Sequence, residues 1–265
     1  MRKAAILLPL ILLAAMPVEA APIPPGPSGQ SVQLDGLDFD VLTYRPNCAN
    51  PTLLLSFHGS LRRPEAARRS VRRLADRLCF LVLAPGFDAE RFPPWRYHGG
   101  GIGRGGVVQD PKTWSGRFAM ALVEWARAQE RRPLAYSLVG HSAGGQFVGK
   151  LIAFTPNEAR RIVIANPLFY IEANTDVRSP KGLGGVYAGD EADANLRRYL
   201  SQPVSLLLGQ MDKGFAEGRG FYARARELAA SKGWTFNWRL IEVPGIGHDA
   251  DAMFASPQAE RAIRP

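Results

Sequence analysis

Apolar and polar positions change rhythm along the chain, and each change marks a different kind of element. Residues 31–35 and 38–44 alternate apolar and polar side chains about Gly36, the period of an antiparallel hairpin with one buried face. Residues 52–57 and 80–84 are short runs that are almost wholly apolar, as strands covered on both faces are. Between those runs Ala67, Val71, Leu74, Ala75 and Leu78 recur at helical spacing, which predicts one helix over residues 64–78. A helix over about 114–129 follows, with Phe118, Leu122, Val123 and Trp125 facing inward, and then a strand over 134–139. A helix to about residue 154, strands over 161–165, 204–208 and 237–243, and a helix over 215–231 complete the alternation.

Strands that alternate with helices build a largely parallel sheet with helices on both faces. The fold class is therefore α/β: a three-layer sandwich with a mostly parallel eight-stranded sheet and an antiparallel N-terminal edge hairpin. Two segments are longer than ordinary connectors, residues 85–113 and 166–203, the second with a short helix near 192–200. Both leave strand ends where an open α/β sheet places its ligand crevice, and both are expected to be lid-like excursions.

The start of the chain follows another pattern. Arg2 and Lys3 precede an apolar run over residues 4–16, and Val18-Glu19-Ala20 offers small residues where a signal peptidase reads. Residues 1–20 are expected to be a signal peptide, and the protein to be secreted or periplasmic. The alternative is an uncleaved anchor, against which stand the shortness of the run and Pro17 at its end. Residues 21–30, rich in Pro and Gly, are read as a flexible leader, and 31–265 as a single domain.

Composition narrows the class of partner. With 46% hydrophobic and 22% charged residues the chain is balanced like an ordinary globular protein. Cleavage removes Arg2, Lys3 and Glu19, two positive charges and one negative, which takes the net charge from +9 to +8. A basic surface suits nucleic acid, anionic lipid or an acidic polymer. Arg68, Arg69, Arg72, Arg73 and Arg77, however, fall mostly off the apolar stripe of their own helix, and no nucleic-acid recognition motif accompanies them. Neither a nucleic-acid partner nor stable membrane insertion after signal cleavage is expected. The two cysteines, Cys48 and Cys79, fall at the starts of two apolar strands that should be neighbours, so a disulfide is expected, with two buried thiols as the alternative.

Reactive chemistry concentrates in Gly140-His141-Ser142-Ala143-Gly144, placed between a buried strand and a helix. A serine nucleophile must stand clear of its backbone on a tight strand-to-helix turn, which tolerates only small residues two positions to either side. Its hydroxyl needs a base. Of the four histidines, His141 adjoins Ser142, His58 follows an earlier strand, and His98 lies in a glycine-rich loop. His248 follows the last strand and reaches the same sheet edge as Ser142, so it is the candidate base. The acid that orients it should lie between the two in sequence. Asp212, just past the penultimate strand, fits; Asp176, Asp190 and Asp193 lie in the long excursion, and Asp249 suits a helix N-cap. Backbone N–H groups of Ala143 and of Ser60, with Leu61 as the other choice, are candidates for an oxyanion hole. Trp95, Tyr97, Phe169 and Tyr170 are candidates for the substrate pocket, core packing being the other reading of each. No His-x-x-x-His, Cys-x-x-Cys or phosphate-cradling glycine motif occurs, so no metal and no cofactor is expected.

The set His58-Gly59, Gly140-His141-Ser142-Ala143-Gly144, Gly209-Gln210-Met211-Asp212 and Gly247-His248-Asp249 resembles the α/β-hydrolase superfamily over nearly the whole chain beyond residue 20. Leu74-Ala75-Asp76 leading to Leu81-Val82-Leu83-Ala84-Pro85 is similar to secreted esterases related to polyhydroxybutyrate depolymerases and feruloyl esterases. The resemblance implies an α/β-hydrolase sandwich and an ester, thioester, amide or related substrate, without choosing among them. Joined to the signal segment and to Ser142, His248 and Asp212, it leads to an exported serine esterase acting through an acyl-enzyme on Ser142, with a small-molecule or polymeric ester as substrate. Two other readings stay open: a serine peptidase or amidase on the same fold, and a noncatalytic protein that binds an envelope polymer or lipid.

Overall fold

The computed structural model describes residues 22–264, so the expected signal segment lies outside the described residues. Strands β1 (Gly26–Leu34) and β2 (Leu37–Arg45) pair antiparallel, with Leu34 opposite Leu37. The two turn residues between them, Asp35 and Gly36, have φ of 46° and 80°. A two-residue hairpin turn demands positive φ at both positions, and Asp-Gly adopts it at little cost. Val32, Leu34, Phe39 and Val41 bury the inner face, as the alternation predicted.

The flexible leader is corrected in part. Residues 26–30 belong to β1 and pair with residues 41–45. Ladder bonds use main-chain groups alone, and an outermost strand tolerates a proline such as Pro27. Ile23 is also fixed: it is 1% exposed, its N–H donates to Glu130 Oε1 at 3.0 Å, and its carbonyl accepts from Arg45 Nε at 2.7 Å.

Six further strands are β3 (Thr52–Phe57), β4 (Phe80–Pro85), β5 (Tyr136–His141), β6 (Arg161–Ala165), β7 (Val204–Gly209) and β8 (Arg239–Val243). The order across the sheet is β1-β2-β4-β3-β5-β6-β7-β8, antiparallel for the first two pairings and parallel for the rest. From β3 the chain winds one way to β4 and the other way to β5. A crevice therefore opens beyond the carboxyl ends of β3 and β5, where the direction of winding changes.

Helices α1 (Pro64–Ser70) and α2 (Arg72–Leu78) replace the single expected helix. The break falls at Val71, whose side chain stays fully buried, and the Ser70 hydroxyl back-bonds to the Ala67 carbonyl at 3.1 Å, a contact that competes with the helical ladder. Then come α3 (Pro94–Tyr97), α4 (Gly116–Glu130), α5 (Ala143–Phe154), α6 (Gly189–Ser201), α7 (Phe215–Ser231), α8 (Ala250–Ala255) and α9 (Pro257–Ile263). Every residue of α5 is buried, which makes it the central helix under the sheet. Two apolar clusters result, one with α4 to α7 and the other with α2, α8 and α9. Cys48 and Cys79 are joined as a disulfide with Cα atoms 5.9 Å apart, tying the entries of β3 and β4. Among the described residues no helix is long and apolar enough to cross a membrane.

Candidate active site

Ser142 follows β5 directly and precedes α5, with φ 58° and ψ −123°. A non-glycine residue held there stores about 1–3 kcal/mol of backbone strain. The flanking glycines are forced by contact. A Cβ on Gly140 would stand 2.2 Å from the Gly144 carbonyl oxygen, and one on Gly144 would stand 2.1 Å from that of Phe57. The Ser142 N–H is anchored by the Ala165 carbonyl at 3.0 Å. Its hydroxyl is thereby presented at the carboxyl edge of the sheet, at the positive end of the α5 dipole.

His248, on the loop after β8, brings Nε2 to 2.9 Å from Ser142 Oγ. Its Nδ1 donates to Asp212 Oδ2 at 2.5 Å, which leaves Nε2 as the acceptor for the serine proton. Asp212 is 6% exposed, and its second oxygen accepts the Gly214 N–H at 2.7 Å. The three side chains thus form one hydrogen-bonded chain from a hydroxyl to a buried carboxylate. Asp176, Asp190 and Asp193 are exposed and take no part, and Asp249 caps α8 by accepting the Ala252 N–H at 3.0 Å.

The other histidines occupy different places. His141 is buried with its ring centroid 4.7 Å from that of His248, and burial lowers its pKa to about 4. It therefore stays neutral beside His248 at ordinary pH. His58, 2% exposed at the end of β3, is likewise lowered to about 4 by burial. His98 lies half-buried in the glycine-rich loop.

Asn166 is a residue that sequence reasoning missed. It is 3% exposed, its Nδ2 donates to the Gly247 carbonyl at 2.9 Å, and its Oδ1 accepts the Gly209 N–H at 2.9 Å. One side chain therefore clamps the loop that carries His248 to the strand end that carries Asp212. The only trace in the sequence is an Asn-Pro pair just after β6.

A cavity of about 450 Å³ opens over Ser142. Its walls include His58, Gly59, Ser60 and Leu61 after β3, Arg63 and Arg69 of the following segment, and Asp249 and Asp251 beyond His248. Ala143 is the first residue of α5, so its N–H has no helical partner. None of the four expected pocket residues lines this cavity. Tyr97 is fully buried in the core, Tyr170 is half-buried and stacks on Phe221 at 4.5 Å, Trp95 lies under Arg104, and Phe169 is 75% exposed. The excursions 85–113 and 166–203 likewise contribute no wall to it. Their large residues, including Phe87, Phe92, Tyr97, Ile102 and Tyr199, are spent on the core, while Leu168 and Phe169 of the second excursion stay exposed. Among the described residues no cluster of metal-ligating side chains is present.

Six large apolar side chains are exposed among the described residues, and four of them gather at the carboxyl edge of the sheet. Leu61 follows β3, Leu168 and Phe169 follow β6, and Met211 follows β7.

No protein-family model matches the chain, and no curated protein does. Solved structures do. The LpqC poly(3-hydroxybutyrate) depolymerase from Bordetella parapertussis is 29% identical with a TM-score of 0.80, over 88% of each chain. Poly(aspartic acid) hydrolase-1 from Sphingomonas sp. KT-1 is 25% identical with a TM-score of 0.83, over 91% of this chain and 99% of that one. An S-formylglutathione hydrolase from Agrobacterium tumefaciens shares the fold at 15% identity and a TM-score of 0.59, over 90% of this chain and 95% of that one. The protein is an α/β-hydrolase that resembles the poly(3-hydroxybutyrate) depolymerases.

Proposed function

We propose that the protein is an exported serine esterase that forms an acyl-enzyme on Ser142. The observation that carries this reading is the unbroken chain Ser142 Oγ to His248 Nε2 to Asp212, at 2.9 and 2.5 Å. As Ser142 Oγ attacks the ester carbonyl, its proton passes to His248 Nε2 and Asp212 stabilises the imidazolium. His248 then hands the proton to the departing alcohol, and the acyl-enzyme remains. His248 then deprotonates a water that attacks the acyl carbon, and returns that proton to Ser142 Oγ as the acyl–Oγ bond breaks and the acid leaves. The N–H groups of Ala143 and Ser60 hold the oxyanion, and a single such donor is worth about 10²–10³ in rate.

Leu61, Leu168, Phe169 and Met211 favour an apolar ester, one with little charge to lose on leaving water. The likeness to a poly(3-hydroxybutyrate) depolymerase points the same way. Export is supported by the charged-then-apolar pattern of residues 2–20 and by the disulfide, a bond that persists in oxidising compartments. A second reading, hydrolysis of an amide-linked acidic polymer, is favoured by the likeness to poly(aspartic acid) hydrolase-1 and by Arg63 and Arg69 in the cavity wall. Against it, Arg69 is paired with Asp251 at 3.0 Å, and Asp249 adds a second negative charge to the same wall.

The test is a pre-steady-state comparison of a 4-nitrophenyl alkanoate with the matching anilide. The esterase reading predicts a burst of about one nitrophenol per protein and faster turnover of the ester, both lost in Ser142→Ala. No ester turnover by the folded protein, or faster cleavage of the anilide, contradicts it.

A further inference from the structure

We infer that Tyr97 and His58 are positioning residues that aim the Ser60 N–H at the reacting oxygen by fixing the Gly59–Ser60 peptide plane. The inference rests on the proposed acyl-enzyme reading and adds residues to it that touch no substrate.

The local bonds all converge on one turn. His58 Nδ1 donates to the Gly59 carbonyl at 3.0 Å, and the Arg62 N–H donates to the same oxygen at 3.1 Å. The His58 ring is held from its other side, because Nε2 accepts the Phe87 N–H at 3.0 Å. This pair of bonds requires the neutral ring with its proton on Nδ1; a second proton would set an N–H against the Phe87 N–H. Burial keeps the ring in that neutral form. The Tyr97 hydroxyl donates to the His58 carbonyl at 2.7 Å, and its ring lies 4.6 Å from the His58 ring. Arg62 covers the Tyr97 ring at 4.5 Å and donates from Nη1 to the Phe87 carbonyl at 3.0 Å.

The consequence follows from peptide geometry. In a trans peptide the C=O and the next N–H point in opposite directions. With the Gly59 carbonyl drawn toward the His58 ring and the Arg62 N–H, the Ser60 N–H is turned the other way. That N–H donates to no protein acceptor among the described residues. The turn also lies against the nucleophile: a Cβ on Gly59 would be 4.0 Å from Ser142 Cβ, and Gly59, Ser60 and Ser142 line one cavity. Two donors on a single carbonyl, with Tyr97 securing the carbonyl before it, fix the plane more firmly than hydrogen-bond satisfaction alone requires. The aromatic residue in the excursion thus acts on the chemistry from behind the loop, not from the pocket.

Tyr97→Phe removes one hydroxyl from a packed ring and is the variant of choice, with Arg62→Lys as a second that keeps the charge but loses the fork to the Phe87 carbonyl. On a soluble short-chain ester we expect kcat to fall about tenfold in Tyr97→Phe, a fraction of the 10²–10³ lost when an oxyanion donor is removed outright. KM should change less than twofold. Affinity for an alkylboronic acid, which forms a tetrahedral adduct on the serine, should fall by the same factor as kcat. A Tyr97→Phe protein that matches the parent in kcat and boronate affinity overturns the inference. So does one whose kcat, KM and thermal midpoint all worsen together with boronate affinity unchanged, since that is the mark of packing alone. Stoichiometric labelling of Ser142 by a fluorophosphonate in the parent protein keeps the two readings apart. Without it the acyl-enzyme reading fails; with it, a null result in Tyr97→Phe removes only the positioning role.

Discussion

Replacing Asn166 should disable catalysis from outside the reacting groups. Its side chain makes two bonds of 2.9 Å, a buried one from the Gly209 N–H and a half-buried one to the Gly247 carbonyl. Asn166 also has φ 39°, so Asn166→Gly is the clean perturbation: glycine accepts that backbone conformation, and only the side-chain bonds are lost. The orphaned, buried Gly209 N–H costs about 1–3 kcal/mol, and the half-buried Gly247 carbonyl, which water can reach, adds at most about 1 kcal/mol, so the variant should be about 1–4 kcal/mol less stable. For a domain of this size that corresponds to a fall in Tm of roughly 3–15 °C by differential scanning fluorimetry. Freed from the clamp, the Gly247-His248 loop no longer holds Nε2 at hydrogen-bond distance from Ser142. A displacement of about 1 Å costs about 10² in kcat. Asn166→Asp sets a carboxylate oxygen against the Gly247 carbonyl at a site only 3% exposed, and should be at least as damaging as Asn166→Gly. An Asn166→Gly protein with Tm within about 2 °C and kcat within about twofold of the parent would refute the clamp.

Two further outcomes follow from groups outside the reacting set. Lys150, in the middle of α5, is buried with its Nζ donating to the Pro180 carbonyl, and burial lowers its pKa from 10.5 to about 7. Between those values the unfolded chain holds a proton that the folded protein has released, so this group makes stability rise with pH by about 5 kcal/mol from below pH 7 to above pH 10.5. Lys150→Met removes that contribution: its stability gain over the parent, measured by urea unfolding, should be largest below pH 7 and vanish toward pH 10.5. A difference that is flat with pH contradicts the assignment. The disulfide spans a sequence separation of 31, for which loop entropy gives about 3–4 kcal/mol, so Cys48→Ser/Cys79→Ser should unfold at correspondingly lower urea.

Legibility followed the physics of each feature. The shift from period-two alternation to apolar runs depends only on which faces are buried, and it located every strand of the main sheet. Strand ends depend on partners. The ladder of β5 begins at Tyr136 opposite Leu53, and β8 begins at Arg239 opposite Ser205; Leu134 and Asn237 lie before any such partner. The leader was misjudged because Pro and Gly report side-chain preference, while an edge strand is held by main-chain bonds. Ser142, His248 and Asp212 could be picked out because the order of strand ends puts them on one edge. The aromatic pocket could not, since Tyr97 reads the same whether it faces a substrate or a backbone carbonyl. Asn166 left almost no trace, because its role lies in two loops brought together only by the sheet.

The most direct test of the acyl-enzyme account is covalent trapping. The folded protein is treated with a fluorophosphonate, its intact mass is measured, and the modified peptide is mapped. The account predicts one adduct per chain, on Ser142, and none in Ser142→Ala. An adduct on another residue, labelling that persists in Ser142→Ala, or an unmodified folded parent would contradict it.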